Sequence, residues 1–215
     1  KIIKLAKKNN LFFVECFMYK YSNLYKEFLN FWSQKKKTIT KLDINFSIPK
    51  FPNNTFRTKN SNYSTTLFDI GSYSISIIND LFDRPKIKLI SVKNIGLTNK
   101  EQFEISCLKH NILITSKFGI HKNYINKIVL IYNKIDSYTF EPFFYGRSGK
   151  RIIENLSKLR IKKTIKNETN SFNKMFGKNL KYWQSTQNDR NKSMLNNLKS
   201  LENLNKQYNN IKRIK

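Results

Sequence analysis

The stretch FEISC (103–107), NILITSK (111–117), NYINKIVLIYNKI (123–135) and FEPFFYGRSGKRI (140–152), closing on RIKK (160–163), decides how this chain is read. Phe103, Ile105 and Cys107 alternate with polar residues, Lys109-His110 suit a turn, and Ile112 and Ile114 alternate again. A period of two puts alternate side chains on one face, so the segment predicts two adjacent antiparallel strands, the second ending at Gly119. Tyr124, Ile125, Ile128, Ile131, Tyr132 and Ile135 recur at helical steps and predict a helix lying across that sheet. Residues 136–150 read as a loop, stiffened by Glu141-Pro142, with backbone freedom at Gly146 and Gly149. The expected fold class is α+β: a small antiparallel β-sheet with a packed helix, possibly in two tandem copies, plus a basic helical C-terminal extension.

Outward from that centre the signals thin. LFFVECF (11–17) reads as a buried strand. Tyr21, Leu24, Tyr25, Phe28, Leu29 and Trp32 share one helix face, which either packs on its own domain or docks a neighbour. KLDINFSI (41–48) alternates like a strand, and the Pro-, Asn- and Ser-rich residues 49–66 read as a linker. Residues 67–82 fit either a helix interrupted at Gly71 or a strand pair, and IKLISV (87–92) reads as a strand. Beyond Lys163 the chain turns polar. Met194, Leu198, Leu201, Leu204, Tyr208 and Ile211 then form a narrow apolar stripe on a basic helix, suited to packing back, to touching a neighbour or to running along RNA. The expected organisation is an N-terminal α/β unit with linker at 1–66, an RNA-binding α+β domain at 67–163 and an extension at 164–215.

Charge narrows the class of partner. Lys and Arg number 41 against 14 Asp and Glu, a formal net charge of +27. Such an excess repels itself unless a polyanion neutralises it, and phosphate neutralisation with counterion release makes nucleic acid the expected partner. An anionic membrane surface favours one juxtamembrane cluster, whereas these basic residues run from end to end. The abundance of Lys, Asn, Ile, Phe and Tyr is what A+T-rich codons impose, as in organelle genomes. No apolar run approaches the roughly 20 residues that a bilayer span requires. A chain opening on Lys1 is expected to lack its true start or to be one piece of a longer product.

Cys16 and Cys107 lie far apart, outside any CxxC pair, and read as buried, reduced thiols. His110 and His121 lack metal-ligand spacing. The pairs Asp80/Asp83 and Glu101/Glu104 fit helix capping or charge balance better than acid–base work. No Ser/His/Asp or Cys/His arrangement is readable, so the sequence predicts neither an enzyme nor a cofactor. The basic glycine loop Gly146-Arg147-Ser148-Gly149-Lys150-Arg151 is the leading site. Its glycines admit close phosphate approach, and Phe144 or Tyr145 would stack on an unpaired base. The loop also fits a KH-type GxxG followed by a helix carrying Ile152, Ile153, Leu156 and Leu159, and it lacks the Walker spacing for nucleoside triphosphates.

Phe140-Glu141-Pro142-Phe143-Phe144-Tyr145-Gly146-Arg147-Ser148-Gly149-Lys150 resembles the Pro-Glu-Pro-Tyr-Lys-Gly-Lys-Gly signature of the universal large-subunit ribosomal protein six family, in its mitochondrial form. Glu141, Pro142 and Gly146 match and Arg147 keeps a family positive charge, while an aromatic replaces the first lysine and the last glycine comes one position late. The likeness spans Phe103 to about Lys163. NILITSKFGI is similar to the strand-and-turn of small-subunit protein eight, and the GRSG loop to the KH domain of small-subunit protein three. The resemblance implies a structural constituent of an organellar ribosome in the mitochondrial matrix. Its partners would be rRNA and neighbouring ribosomal proteins, reached through the terminal segments, with no small-molecule substrate. Lys117, Lys122, Arg147, Lys150, Arg151, Arg160, Lys162 and Lys163 would hold rRNA phosphates. Other classes are an RNA-processing enzyme or maturase fragment, and a basic accessory subunit of an inner-membrane complex.

Overall fold

The structure, a computed structural model, describes residues 2–11, 13–49, 66–83, 85–94, 101–120, 123–144, 150–157, 159–165, 171–181 and 187–214. The chain opens with α1 (Ile2–Lys8), passes a 3-10 turn at Met18–Tyr21 and enters α2 (Asn23–Lys35) and β1 (Ile39–Ile48). Next come α3 (Thr66–Asp69), α4 (Gly71–Leu81), β2 (Lys88–Asn94), β3 (Glu101–Lys109) and β4 (Ile112–Ile120). Four further strands follow: β5 (Ile125–Tyr132), β6 (Asp136–Glu141), β7 (Lys150–Leu156) and β8 (Leu159–Ile165). Helices α5 (Ser171–Lys181) and α6 (Gln187–Ile214) close the chain.

Among the described residues, eight strands form one sheet in the order β2-β3-β4-β1-β5-β6-β7-β8. Every neighbouring pair is antiparallel except β1 and β4, which run parallel with Leu42 opposite Ile114 and Phe46 opposite Phe118. This large mixed sheet replaces the small sheet with one packed helix expected above. β1, from the first quarter of the chain, sits at its centre between β4 and β5.

Local chemistry explains the elements. Ser22 caps α2, its hydroxyl accepting from the Tyr25 backbone N–H at 3.1 Å. Leu24, Tyr25, Phe28 and Trp32 are buried on the own-domain face of α2, while Leu29 is left partly exposed. Phe28 is fully buried and meets Phe140 and Phe143 edge-on, with ring centroids at 5.4 and 5.2 Å. Burying such a side chain contributes about 2–3 kcal/mol. The β3–β4 hairpin turns through His110 and Asn111, both at positive φ, which is the two-residue loop whose twist suits flanking strands.

The expected helix over 124–135 is strand β5 and the turn that leads into β6. Asn126, Ile128, Leu130 and Tyr132 alternate into the core, and the chain reverses at Asn133 and Lys134 with positive φ before β6. Isoleucines at 125, 128, 131 and 135 mimic a helical step, but the buried set has a period of two and includes a polar residue. β-branched side chains also favour the pleated surface. The expected loop at 136–150 holds β6, and the expected KH helix after Gly149 is the β7–β8 hairpin. LFFVECF includes no described strand, Phe12 lying outside the described residues. Residues 67–82 resolve as α3 and α4. α6 packs back on α4 and β2 as the sequence allowed, burying Leu201, Leu204 and Tyr208, so it is part of the domain's core and not a protruding extension.

Helices and sheet bury one face together: Leu42, Ile44, Ile114, Phe118, Ile128 and Leu130 are all at or near zero exposure. The intervening positions Lys41, Asp43, Asn45, Thr115, Lys117 and Lys127 form the other, polar face, where Thr115 donates to the Asp43 carboxylate. Among the described residues no helix is long and apolar enough to cross a membrane.

Candidate functional site

Helix α4 brings side chains spaced along its own face against the segment 13–25. Gly71 starts the helix against the Phe118 ring, so α4 lies low on the sheet. Two turns on, Asp80 takes the Lys20 ammonium at 2.7 and 3.0 Å and the Tyr25 hydroxyl at 3.1 Å. Lys20 also sits 5.4 Å from the centroid of the Phe17 ring, a cation–π contact. Tyr19 is completely buried between these groups, and among the described residues neither its hydroxyl nor that of Ser76 on α4 finds a hydrogen bond of good geometry. Unpaired buried hydroxyls cost stability and are uncommon in packed interiors.

Glu15 lies at the mouth of this arrangement. It accepts from the Asn197 side-chain amide of α6 at 2.9 Å. Burial raises its pKa above the ordinary carboxylate value. The Asn197 hydrogen bond and Lys20 oppose that rise, and the Asp80 charge adds to it. Burial likewise pushes the Tyr19 and Tyr25 phenols up, with Asp80 adding to both, so they stay neutral donors. Glu15 and Lys20 line a cleft of about 150 Å³ with Val14, Phe17, Tyr21 and Met194. Glu15 also edges a wider apolar groove of about 540 Å³ between α1 and α6, where Ile2, Phe13, Leu195 and Leu198 are among the walls. A carboxyl with a raised pKa beside an ammonium at a cleft is what proton transfer and carbonyl polarisation call for.

Those residues picked from sequence that fall among the described residues lie elsewhere, in the core and on the sheet. Lys117 is on the polar sheet face, 3.6 Å from Glu104. Phe144 is buried against Tyr19, Phe46 and Tyr73, so it is a core side chain with no face for a base. Lys150 begins β7, and Arg151 is tied to Glu141 by Nε and Nη2, each at 2.6 Å. Arg160, Lys162 and Lys163 are exposed on the edge strand β8, with Lys163 3.9 Å from Glu27. Lys122, Tyr145, Gly146, Arg147 and Gly149 lie outside the described residues. Sequence reasoning missed Glu15, Lys20 and Tyr25 and took Asp80 for charge balance. Lys20 and Asp80 are far apart in the chain and carry no motif that would join them.

No family model and no curated protein matches the sequence. Solved structures do match. A 3-ketoreductase from Actinomadura kijaniata, in complex with TDP-benzene and NADP in an open conformation, is 12% identical with a TM-score of 0.74. The match covers 94% of this chain and 63% of that one. The aldose-aldose oxidoreductase from Caulobacter crescentus, complexed with glycerol, gives a TM-score of 0.74 at 12% identity over 100% of this chain and 66% of its own. This chain thus spans under two thirds of the ketoreductase. At such identity the likeness establishes the fold.

These neighbours overturn the ribosomal reading. The likenesses to large-subunit protein six and small-subunit proteins eight and three, the rRNA partnership, the absence of a small-molecule substrate and the non-enzymatic role are all corrected by a fold shared with oxidoreductases. The physical reason is visible in the loop that carried the resemblance. Glu141 ends a sheet strand with Pro142 just beyond it, Phe143 and Phe144 are core, and the basic tail is the sheet's own edge strand.

Proposed function

We propose that this chain is the substrate-side unit of a two-part oxidoreductase that interconverts hydroxyl and carbonyl groups on a sugar-like molecule. The observation that carries the reading is the agreement of its sheet and helices, over more than nine tenths of the chain, with a ketoreductase and an aldose oxidoreductase. The ketoreductase structure holds NADP. The residues described here do not fit that nucleotide. A dinucleotide lies across the strand ends of a doubly wound parallel sheet, its pyrophosphate on a helix N-terminus. This sheet has one parallel pair, and the cleft is small and faced by the Glu15 carboxyl. The nucleotide therefore belongs to a second unit, for which the apolar groove between α1 and α6 offers a seat.

The cleft residues suit the other half of the chemistry. Asp80 and Phe17 hold the Lys20 ammonium in place, and a positioned ammonium stabilises negative charge growing on a carbonyl oxygen. Glu15, its pKa raised by burial, can hand a proton to that oxygen or take one from a hydroxyl. The test is to purify the chain with its natural partners and follow NADPH oxidation with aldoses and ketoses. Turnover is expected, and Lys20→Met should lower kcat by roughly 10²-fold, the usual cost of one such donor. An assembly that turns over no aldose, ketose or polyol with either nicotinamide nucleotide would sink the reading.

A further inference from the structure

A second cleft, of about 250 Å³, lies between α2 and the strands β6, β7 and β8. One stripe of α2 lines it with Glu27, Asn30, Phe31 and Gln34, at the i, i+3, i+4, i+7 spacing of a single face. Opposite stand Tyr138, Glu154 and Lys163 on β6, β7 and β8, on the helix side of the sheet. We propose that this cleft is a subsite for an uncharged polyol of monosaccharide size, distinct from the Glu15–Lys20 cleft.

The side chains are set up to receive hydroxyl groups. Glu154 accepts from the Tyr132 hydroxyl at 3.0 Å and also bonds Tyr138, which leaves lone pairs on a carboxylate that has about four acceptor sites. Gln34 donates its amide to the Asn30 carbonyl at 3.1 Å, so the Asn30 amide hydrogens and the Gln34 carbonyl stay available. Donors and acceptors thus alternate around the cleft, matching groups that both give and accept. The Phe31 and Tyr138 rings, with centroids 3.8 Å apart and tilted by 39°, supply an apolar wall for the C–H face of a sugar ring.

Charge selects against the alternatives. Glu27 and Glu154 against Lys163 leave a local excess of one negative charge on a chain whose net charge is +27, so an anion is turned away. A full cation would leave the Asn30 amide and the Lys163 ammonium facing it without acceptors. A site of this volume is below the usual drug-sized range, which fits a single sugar ring.

Saturation-transfer NMR on the full chain, with D-glucose, N-acetylglucosamine and spermidine as separate probes, tests the assignment. Transfer to sugar ring protons is expected and transfer to spermidine is not. Asn30→Leu, at an exposed helix position that leaves the core intact, should raise the sugar Kd at least tenfold, and Glu154→Gln should weaken it less. Lys20→Met should leave the Kd unchanged, which separates this site from the proposed reaction centre. The proposal fails if no sugar shows transfer, if only spermidine binds, if Asn30→Leu binds as the parent does, or if Lys20→Met abolishes the signal.

Discussion

Replacing Gly71 by alanine sets two effects of opposite sign against each other. Alanine is favoured over glycine inside a helix by about 1 kcal/mol, less at the first position that Gly71 holds in α4. Against that, an added Cβ would stand 2.6 Å from Cε2 and 2.9 Å from Cζ of Phe118, closer than carbon atoms approach. Phe118 cannot easily yield, because it is fully buried and stacked on Phe103 with centroids 5.5 Å apart and planes 12° apart. Overpacking of this kind costs about 1–3 kcal/mol, so steric cost wins and the net loss is about 1–2 kcal/mol. For a chain of this size that lowers Tm by roughly 2–8 °C. Gly177 supplies the contrast, since at this exposed position of α5 a Cβ meets nothing within 4 Å among the described residues. Gly177→Ala should therefore stabilise by about 0.5–1 kcal/mol. Urea unfolding of both variants, with Gly71→Ala repeated in a Phe118→Leu background, reads the signs directly. The double variant should recover about 1 kcal/mol of the Gly71→Ala loss as coupling between the two sites. Equal effects of the two glycine replacements, or no coupling to Phe118, would refute the close approach of α4 to the sheet.

Asn126 accepts from the backbone N–H groups of Phe143 and Phe144 at 2.9 and 2.8 Å and donates to the Tyr124 hydroxyl at 2.6 Å. Asn126→Ala would remove the side-chain acceptor of the buried Phe144 N–H, while the Phe143 N–H keeps the Asn126 backbone carbonyl at 3.1 Å, and urea melts should show a loss of about 1–3 kcal/mol. Glu15 has a folded pKa above its unfolded value, so its contribution favours folding at low pH and is lost as pH rises above about 4.5 through the folded pKa. Glu15→Gln keeps an acceptor for Asn197 and should stabilise at pH 7 but not at pH 4, as urea midpoints at the two pH values will show. The Cys107 thiol is buried and pushed up to about 11 by that burial, while Cys16, expected from the sequence to be buried too, is exposed. A thiol-specific chromogen at pH 8 should label Cys16 quickly and Cys107 only as the protein unfolds. Equal labelling rates would show that Cys107 is not packed as described.

What could be read from the sequence is what local periodicity encodes. The buried face of α2 and the β3–β4 hairpin follow from side chains that repeat with one period and no competitor. The 124–135 segment failed because its isoleucines satisfy two periods at once, and the deciding residue was Asn126. Its polar side chain points inward to hold the backbone at Phe143 and Phe144, a role visible only when both segments are seen together. The sheet order was beyond reach for a related reason, since nothing local in residues 39–48 says that their neighbours are β4 and β5. The Glu15–Lys20–Asp80 cleft is assembled from an irregular segment and a helix, with no shared motif. Meanwhile the charge excess spoke loudly and misled. Surface lysines report on solvation and on codon usage, and they are compatible with many folds.

The position of β1 has a consequence for how the molecule is made. The strands β2-β3-β4 form one antiparallel meander and β5-β6-β7-β8 another, each zipping between sequence neighbours, and only β1 joins the two. During synthesis β1 emerges first, yet both of its partners arrive later, after α3, α4 and a full meander for β4 and later still for β5. The nascent chain must therefore carry a strand with two open edges until β4 and β5 have been made, and such edges invite pairing with other chains. The keystone of the sheet is laid down early and paired only with strands far along the chain, which makes assembly slow for its length and concentrates the risk of misassembly in one ten-residue segment.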